Sequence, residues 1–372
     1  MKRNLFTLAF VLIVMSMVLA ACAGAAPTES APQETVPAEP AQPEATAAPA
    51  APSGYGETLC AVQERGRLVC GVNGQVPGFS NVDPSGAYTG LDVDFCRAIA
   101  AAVFGDPEAV EYRPLTAADR FTALQSGDID VLIRNTTWTL TRDSELNGNF
   151  VHTTFYDGQG MMVPVDSGFT TLEDLAGGTI CVQTGTTTEL NLADVMAARG
   201  IDYTPAVFDD PDGTYGAYAE GRCDAATSDK SQLVARKSTL PDPDANMIMD
   251  VTISKEPLGP MVRHGDDQWF DIVQWTVFTT FAGEEYDVSS TNVDDLRSTT
   301  ENPEIRRLLG VEGELGAKLG LSNDWSYNVL SQVGNYAEIY DRNLGPDTPT
   351  YIPRGLNSLY TDGGLLYSPP FK

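Results

Sequence analysis

Two hydrophobic rhythms alternate along most of this chain. Short runs dense in apolar residues read as strands: "RLVCGV" (67–72), "VEYRPL" (110–115), "DIDVLI" (128–133), "TICVQ" (179–183), "YTPAVF" (203–208) and "DAATSD" (224–229). Between them lie segments that read as helices: "LDVDFCRAIAAAVFG" (91–105), "AADRFTALQSG" (117–127), "ELNLADVMAARG" (189–200) and "TYGAYAEG" (214–221). Gly105 stands just past the end of the first helix, and Thr116 stands where it would cap the second. Repeated β-α-β units predict mostly parallel sheets covered by helices on both faces, an α/β fold.

The N-terminus breaks this rhythm. Lys2 and Arg3 precede "LFTLAFVLIVMSMVLA", an uncharged apolar run, and the stretch ends in Leu19-Ala20-Ala21-Cys22. That order reads as an export signal rather than a fold element. Leu-Ala-Ala-Cys resembles a lipobox, which implies a lipoprotein signal peptide over residues 1–21, cleavage before Cys22 and lipidation of its thiol. The alternative is an uncleaved anchor helix, but the run sits at the short end of what spans a bilayer. From Ala23 to about Gly56 the composition turns to Ala, Pro, Glu and Thr with one aromatic, Tyr55. Such a stretch buries too little apolar surface to offset its ordering entropy, so residues 22–58 are expected to form an extended tether stiffened by proline.

The remaining residues, about 310, exceed one ordinary core and suit two lobes. The formal charge of −28 becomes −30 if Lys2 and Arg3 leave with the signal, 21 basic residues then facing 51 acidic ones. So negative a surface argues against nucleic acid and anionic lipid headgroups as partners. With Cys22 assigned to lipid, Cys60, Cys70, Cys96, Cys181 and Cys223 remain, dispersed and without a CxxC pair. Zinc is not expected and disulfides outside the cytoplasm are, with one thiol left over. His152 and His264 have no partner at metal spacing, and no Walker loop, HExxH or nucleophile elbow is present, so neither metal nor cofactor is expected.

A short repeat points to the site. "ALQSGDID" (123–130) and "AYAEGRCD" (217–224) share Ala, Gly and Asp at the same offsets, each where a helix runs into a strand. The first strand delivers the chain into Arg134-Asn135-Thr136-Thr137, the second into Thr227-Ser228-Asp229-Lys230. Ligands of open parallel sheets bind beyond the carboxyl ends of strands. Arg142 offers a planar fork for a carboxylate, with Thr137 and amides near Asn135 as added donors. In "QTGTTTELN", Thr186 and Glu189 stand at capping-box spacing, so a helix N-terminus there would attract an anion. Asp229 supplies the opposite charge. Together these fit a zwitterion, the α-carboxylate and α-ammonium of a free amino acid. Each group also has a plainer role: Arg142 as a surface arginine, Asp229 as a helix cap, Trp138 as core packing, Arg134 as a brace.

The segments "GLDVDFCRAIAAAVFGD", "DRFTALQSGDIDVLIRNTTWTLTRD", "CVQTGTTTELNLAD", "GRCDAATSD" and "SKEPLGPMVRHGDDQWFDIVQW" resemble the general L-amino-acid-binding proteins of ABC transporters, within the family 3 extracellular solute-binding proteins. The similarity runs from about Thr58 to Pro370. It implies a type II periplasmic-binding-protein fold, with a discontinuous lobe 1 (59–157 and 256–372), a lobe 2 (158–255) and two crossings near "YDGQG" and "SKEPLG". It also implies roles. Arg142 would grip the α-carboxylate with Asn135, Thr137 and Thr187, and Asp229 would hold the α-ammonium. Asn73 falls where many relatives carry Asp, and Phe79, Trp138 and Tyr156 are candidates for the side-chain pocket. Cys181–Cys223 is the first expected disulfide and Cys70–Cys96 the second, with Cys60 spare and Cys60–Cys70 left open. The implied function is capture of free L-amino acids, with broad specificity, by a lipid-anchored monomer on the outer face of the cytoplasmic membrane. The implied partners are an ABC permease and ATPase. Two other readings stand beside it: an enzyme of the cyclohexadienyl-dehydratase kind on the same fold, and a sensory ectodomain, against which the lack of a second apolar span before Lys372 argues.

Overall fold

The computed structural model describes residues 56–372. The expected signal peptide (1–21), Cys22 and the expected 22–58 tether as far as Tyr55 lie outside the described residues; the last two residues of that tether, Glu57 and Thr58, instead open a helix, because the Thr58 N–H donates to Asp266 Oδ2 at 2.8 Å and Thr58 is buried. The chain begins with helix α1 (Glu57–Arg65), strands β1 (Leu68–Val72), β2 (Gln75–Val76), β3 (Ser80–Val82) and β4 (Tyr88–Thr89), then α2 (Leu91–Phe104). Next come β5 (Val110–Pro114), α3 (Arg120–Ser126), β6 (Val131–Leu132), α4 (Leu140–Glu145) and β7 (Gly148–Phe150). A second series follows: β8 (Phe155–Asp157), β9 (Gln159–Pro164), β10 (Thr179–Gln183), α5 (Thr187–Arg199), β11 (Thr204–Phe208), α6 (Pro211–Ala219), β12 (Ala225–Asp229), α7 (Lys230–Lys237) and β13 (Asn246–Ile248). Strands β14 (Glu256–Leu258) and β15 (Met261–Arg263) and helix α8 (Asp267–Glu285) return the chain, and short helices occupy much of what remains.

Two five-stranded sheets result, ordered β5-β1-β6-β15-β7 and β11-β10-β12-β9-β13. In each, three strands joined through helices are parallel, as the β-α-β alternation predicts: β5, β1 and β6 in one, β11, β10 and β12 in the other. The other pairings, through β15 in the first sheet and β9 in the second, are antiparallel. The sheets are therefore mixed rather than mostly parallel. The cause is the pair of crossing strands, β8 and β14, which run antiparallel to each other with Asp157 opposite Glu256. One residue separates β8 from β9 and two separate β14 from β15, too few for the helix that a parallel crossover needs. Glycine is required at both exits. A Cβ on Gly259 would lie 2.0 Å from the His152 carbonyl oxygen, and one on Gly158 would lie 2.5 Å from Thr252.

Each sheet has its own core. Trp269, Val273, Val277 and Phe281 recur every fourth residue along α8, and with Phe95 and Ile99 of α2 they are buried in the first. Met161, Val163, Ile180, Val182, Leu192 and Met196 fill the second. Cys70 of β1 is bonded to Cys96 of α2, Cys181 of β10 to Cys223, and Cys60 is free and exposed. No helix among the described residues is long and apolar enough to cross a membrane.

The short repeat is a structural device. In "ALQSGDID" the Asp128 N–H donates to the Ala123 carbonyl across left-handed Gly127; in "AYAEGRCD" Arg222 does the same to Ala217 across Gly221. The closing aspartates each grip a strand: Asp130 accepts from Val69 N–H at 2.7 Å and Asp224 from Thr179 N–H at 2.7 Å. One local boundary differs from expectation. The α3 helix starts at Arg120, because the Thr116 hydroxyl binds Asp119 and accepts its N–H, holding residues 117–119 in a turn.

Candidate functional site

The carboxyl ends of β6, β10 and β12 meet across the two sheets. Thr137 Oγ1 lies 3.3 Å from Thr187 Oγ1, Asn135 Nδ2 donates to Gln232 Oε1 at 3.1 Å, and Arg120 donates to the Gly185 carbonyl at 3.4 Å. They enclose a cavity of about 20 Å³, room for about one water molecule. Around it stand Arg120, Arg134, Asn135, Thr137 and Arg142 on one side and Gln183, Thr186, Thr187, Thr188, Ser228, Asp229 and Gln232 on the other. The structure thus brings Asn135, Thr137, Arg142, Thr187 and Asp229 to one place.

Arg142 sits in the first turn of α4, which Thr139 caps. Its side chain turns back, donating to the Thr137 carbonyl at 2.9 Å, and its guanidinium lies 5.3 Å from the Phe121 ring. Burial holds it below the ordinary arginine pKa, while Glu256 and Asp229 pull the other way. Arg134 is buried and donates to the Leu115 carbonyl at 2.8 Å, the brace expected of it, yet it also faces the cavity. Behind it, Asp92 accepts the Asn135 N–H at 2.7 Å, and burial raises its carboxyl to about 7. Asn135 adopts a left-handed φ of 34°, a conformation asparagine tolerates better than most residues. Asn73 stands one bond behind, donating to Asn135 Oδ1 at 3.1 Å, so it orients Asn135 rather than lining the cavity.

On the opposite side, Thr186 Oγ1 accepts the Glu189 N–H at 3.1 Å and starts α5. Glu189 reaches back to the Gly185 N–H at 2.9 Å, one residue before the partner a capping box would use. The Thr187 hydroxyl donates to Glu256 Oε2 at 2.9 Å, and Asn191 Nδ2 donates to Glu256 Oε1 at 2.7 Å. Asp229 ends β12 at 5 % exposure, and its Oδ1 has no hydrogen-bond partner among the described residues. It gives α7 no side-chain cap; Asp157 does, accepting the Ser231 N–H at 3.2 Å. Burial raises the Asp229 carboxyl well above its ordinary pKa, and Asp157 and Glu256 raise it further.

Phe79, Trp138 and Tyr156 do not line the cavity. Phe79 is in the first core, edge-on to Phe155 at 5.0 Å. Trp138 stacks on Phe150 at 5.7 Å and is 38 % exposed. Tyr156 belongs to β8, its backbone bonded at both N–H and carbonyl by the Asn357 amide. Sequence reasoning missed Arg120, Gln183, Ser228, Gln232 and Glu256. Gln183 and Ser228 stand at strand ends and Arg120 soon after one, so the rule that finds Asn135 also reaches them.

Two α/β lobes joined by paired crossing strands, with charged loops facing across a cleft, define a two-lobed ligand-binding protein. The family model for bacterial extracellular solute-binding proteins, family 3, matches residues 68–291, and the chain belongs to that family. Its fold is the type II periplasmic-binding-protein fold. The chain is 50 % identical to the general L-amino acid-binding periplasmic protein AapJ of Rhizobium johnstonii, over 85 % of this chain and 93 % of that protein. It is 49 % identical to the glutamate/glutamine/aspartate/asparagine-binding protein BztA of Rhodobacter capsulatus, over 88 % and 97 %. Among solved structures, an ABC transporter periplasmic binding protein from Brucella ovis with glutathione bound is 46 % identical at a TM-score of 0.83, covering 85 % of this chain and 99 % of that one.

Proposed function

We propose that this protein captures free L-amino acids outside the cytoplasm and delivers them to an ABC permease and ATPase in the cytoplasmic membrane. In this reading Arg142, with Thr137 and the amides near Asn135 and Thr187, binds the α-carboxylate, and Asp229 binds the α-ammonium. Lobe 1 (59–157 and 256–372) and lobe 2 (158–255) swing about the β8–β14 crossing. A lipid on Cys22 and the segment between it and α1 hold the protein, as a monomer, at the membrane's outer face. The site binds and releases, without turnover.

The observation that carries the reading is a pair of buried opposite charges on one cavity. Arg142 and Asp229 both line it, and neither makes an ion pair within 4.0 Å among the described residues. Unpaired charge in such a place costs several kcal/mol, and a zwitterion answers both ends. Two charge-assisted contacts at ~1.5–3 kcal/mol each supply much of the ~8 kcal/mol that micromolar affinity requires. Only closure completes both contacts, so the ligand favours the closed form. The relatives' binding of amino acids supports the same class.

A thermal-shift panel tests this. Several L-amino acids should raise the melting temperature, by ~2.7 kcal/mol of added stability at a hundredfold excess over Kd. N-acetylated and decarboxylated analogues should not. Equal shifts from the analogues would remove the zwitterion model.

A further inference from the structure

Helix α7 begins beside the cavity and is capped from elsewhere. Aspartates stand at the N-cap of α3, α6, α7, α8 and the helix Trp325–Gln332. Asp210 and Asp266 cap α6 and α8 themselves, accepting the Gly213 and Trp269 N–H at 2.8 and 2.9 Å. Asp119 and Asp324 leave their helices uncapped and spend an oxygen on Thr116 and on Arg297. Asp229 does neither. It is 5 % exposed, gives α7 no side-chain bond, and leaves its Oδ1 without a partner among the described residues.

An aspartate at that position is ordinarily drawn to the free N–H groups of its own helix, by hydrogen bonding and by the positive end of the helix dipole. At α7 those donors are already taken. The Lys230 N–H donates to the Gly158 carbonyl at 2.8 Å, and the Ser231 N–H to Asp157 Oδ2 at 3.2 Å. Ser231 is the second residue of the helix, where a local cap would bond. The crossing places Asp157 for this. It ends β8, and two residues further on Gln159 of β9 pairs with Asp229 itself. Its other oxygen accepts the Gly158 N–H at 2.8 Å, which holds the side chain in place. Asp157 does not line the cavity, and Asp229 does.

We infer that Asp157 is a positioning residue: by capping α7 in Asp229's stead, it keeps the Asp229 carboxylate turned to the cavity and free for the ligand's ammonium. This rests on the zwitterion reading above and deepens it. Ser231 is buried, so without Asp157 its N–H would be an orphan that seeks another acceptor. Asp229, two residues before it, stands at the spacing from which an N-cap bonds. It would then serve its own helix, and the ammonium would meet a carboxylate turned away. The charge of Asp157 is not what it supplies. Glu256 already stands directly opposite it on the crossing strands, a like charge that makes a second one there a cost. The bond to Ser231 is what the position gives.

The test is titration calorimetry on the full chain with ligand pairs that differ by the ammonium alone: L-glutamate with glutarate, and L-alanine with propionate. Wild type should bind the amino acid of each pair at least about a hundredfold more tightly, the range for a buried charge left unpaired. Asp157→Ala should weaken the amino acids by about tenfold or more and the deaminated acids by less than about threefold, so that the ratio narrows. Asp157→Asn keeps an acceptor oxygen for Ser231 without the charge, and should hold the ratio within about threefold of wild type. Asp157→Leu, close to aspartate in shape and without an acceptor, replaces the Ala variant if that one melts before it can be titrated. An unchanged ratio in the Ala or Leu variant, whether both members of a pair weaken or neither does, would overturn the inference. So would an Asn variant that narrows the ratio as far as Ala does, since charge and not the cap would then be at work. Failure of the zwitterion reading looks different: the wild type itself would bind glutarate as tightly as glutamate.

Discussion

The two sheets close the same local circuit and deliver different chemistry from it. In the first, Asp130 clamps β1 through Val69; in the second, Asp224 clamps β10 through Thr179. Each clamp follows an Ala-x3-Gly-x2-Asp segment, and in each sheet the clamped strand lies between its two parallel neighbours. Beyond that frame the strands diverge. One delivers Arg134, Asn135 and Thr137, followed by Arg142; the other delivers Ser228 and Asp229, with hydroxyls at the start of α5 beside them. A repeated scaffold fixes where the loop tips meet, and the residues at the tips decide what they bind. In the proposed reading, stability lives in the repeat and binding in the departure from it.

That contrast breaks most visibly at the tips. Arg142→Ala and Asp229→Ala should each weaken amino-acid binding by about a thousandfold or more, the range for truncating one partner of a buried charge pair. Melting temperature should move little in either, measured by calorimetry on the same samples. Substitution in the frame should do the reverse. Asp130→Ala should lower unfolding stability by about 2–3 kcal/mol and Asp224→Ala by about 1 kcal/mol, because Asp130 is buried at 4 % exposure while Asp224 is exposed. Urea melts check the difference, and amino-acid affinity should be nearly unchanged where the fold persists.

A smaller effect concerns pH. Asp92, behind the first tip, has its carboxyl raised by burial from the ordinary 3.8 to about 7. Between those values the folded chain holds a proton that the unfolded chain has lost, so unfolding releases it. The stability this group contributes is whole below about pH 4 and is lost as pH rises through about 7. Asp92→Asn, which keeps a carbonyl acceptor for Asn135, should flatten the fall in melting temperature across that window relative to wild type. An unchanged slope would remove Asp92 as its source.

Much of the frame is legible in the sequence, because parallel strands and their helices carry strong periodicity and glycine marks the helix ends. The start of α3 is not, since a hydroxyl–carboxylate turn at Thr116 and Asp119 displaces it by three residues. Nor is the antiparallel half of each sheet, which depends on where two crossing strands enter. At the site, Asp229 stands out as a charge at a strand end and Arg142 as an arginine among the hydroxyls that follow one. Arg120 does not, because one arginine beginning a helix looks like a surface residue until the opposite lobe covers it. The aromatic candidates stand away from the cavity for a related reason: Phe79 and Trp138 find other rings, Phe155 and Phe150, and leave the cavity to polar side chains.

The most direct test of the central claim is a crystal structure of the protein with L-glutamate bound. The claim predicts the α-carboxylate on the Arg142 guanidinium and the α-ammonium on Asp229, each at about 3 Å, with the lobes closed around both. A ligand held with its ammonium away from Asp229, or an Arg142 side chain turned to solvent beside an occupied cleft, would contradict it.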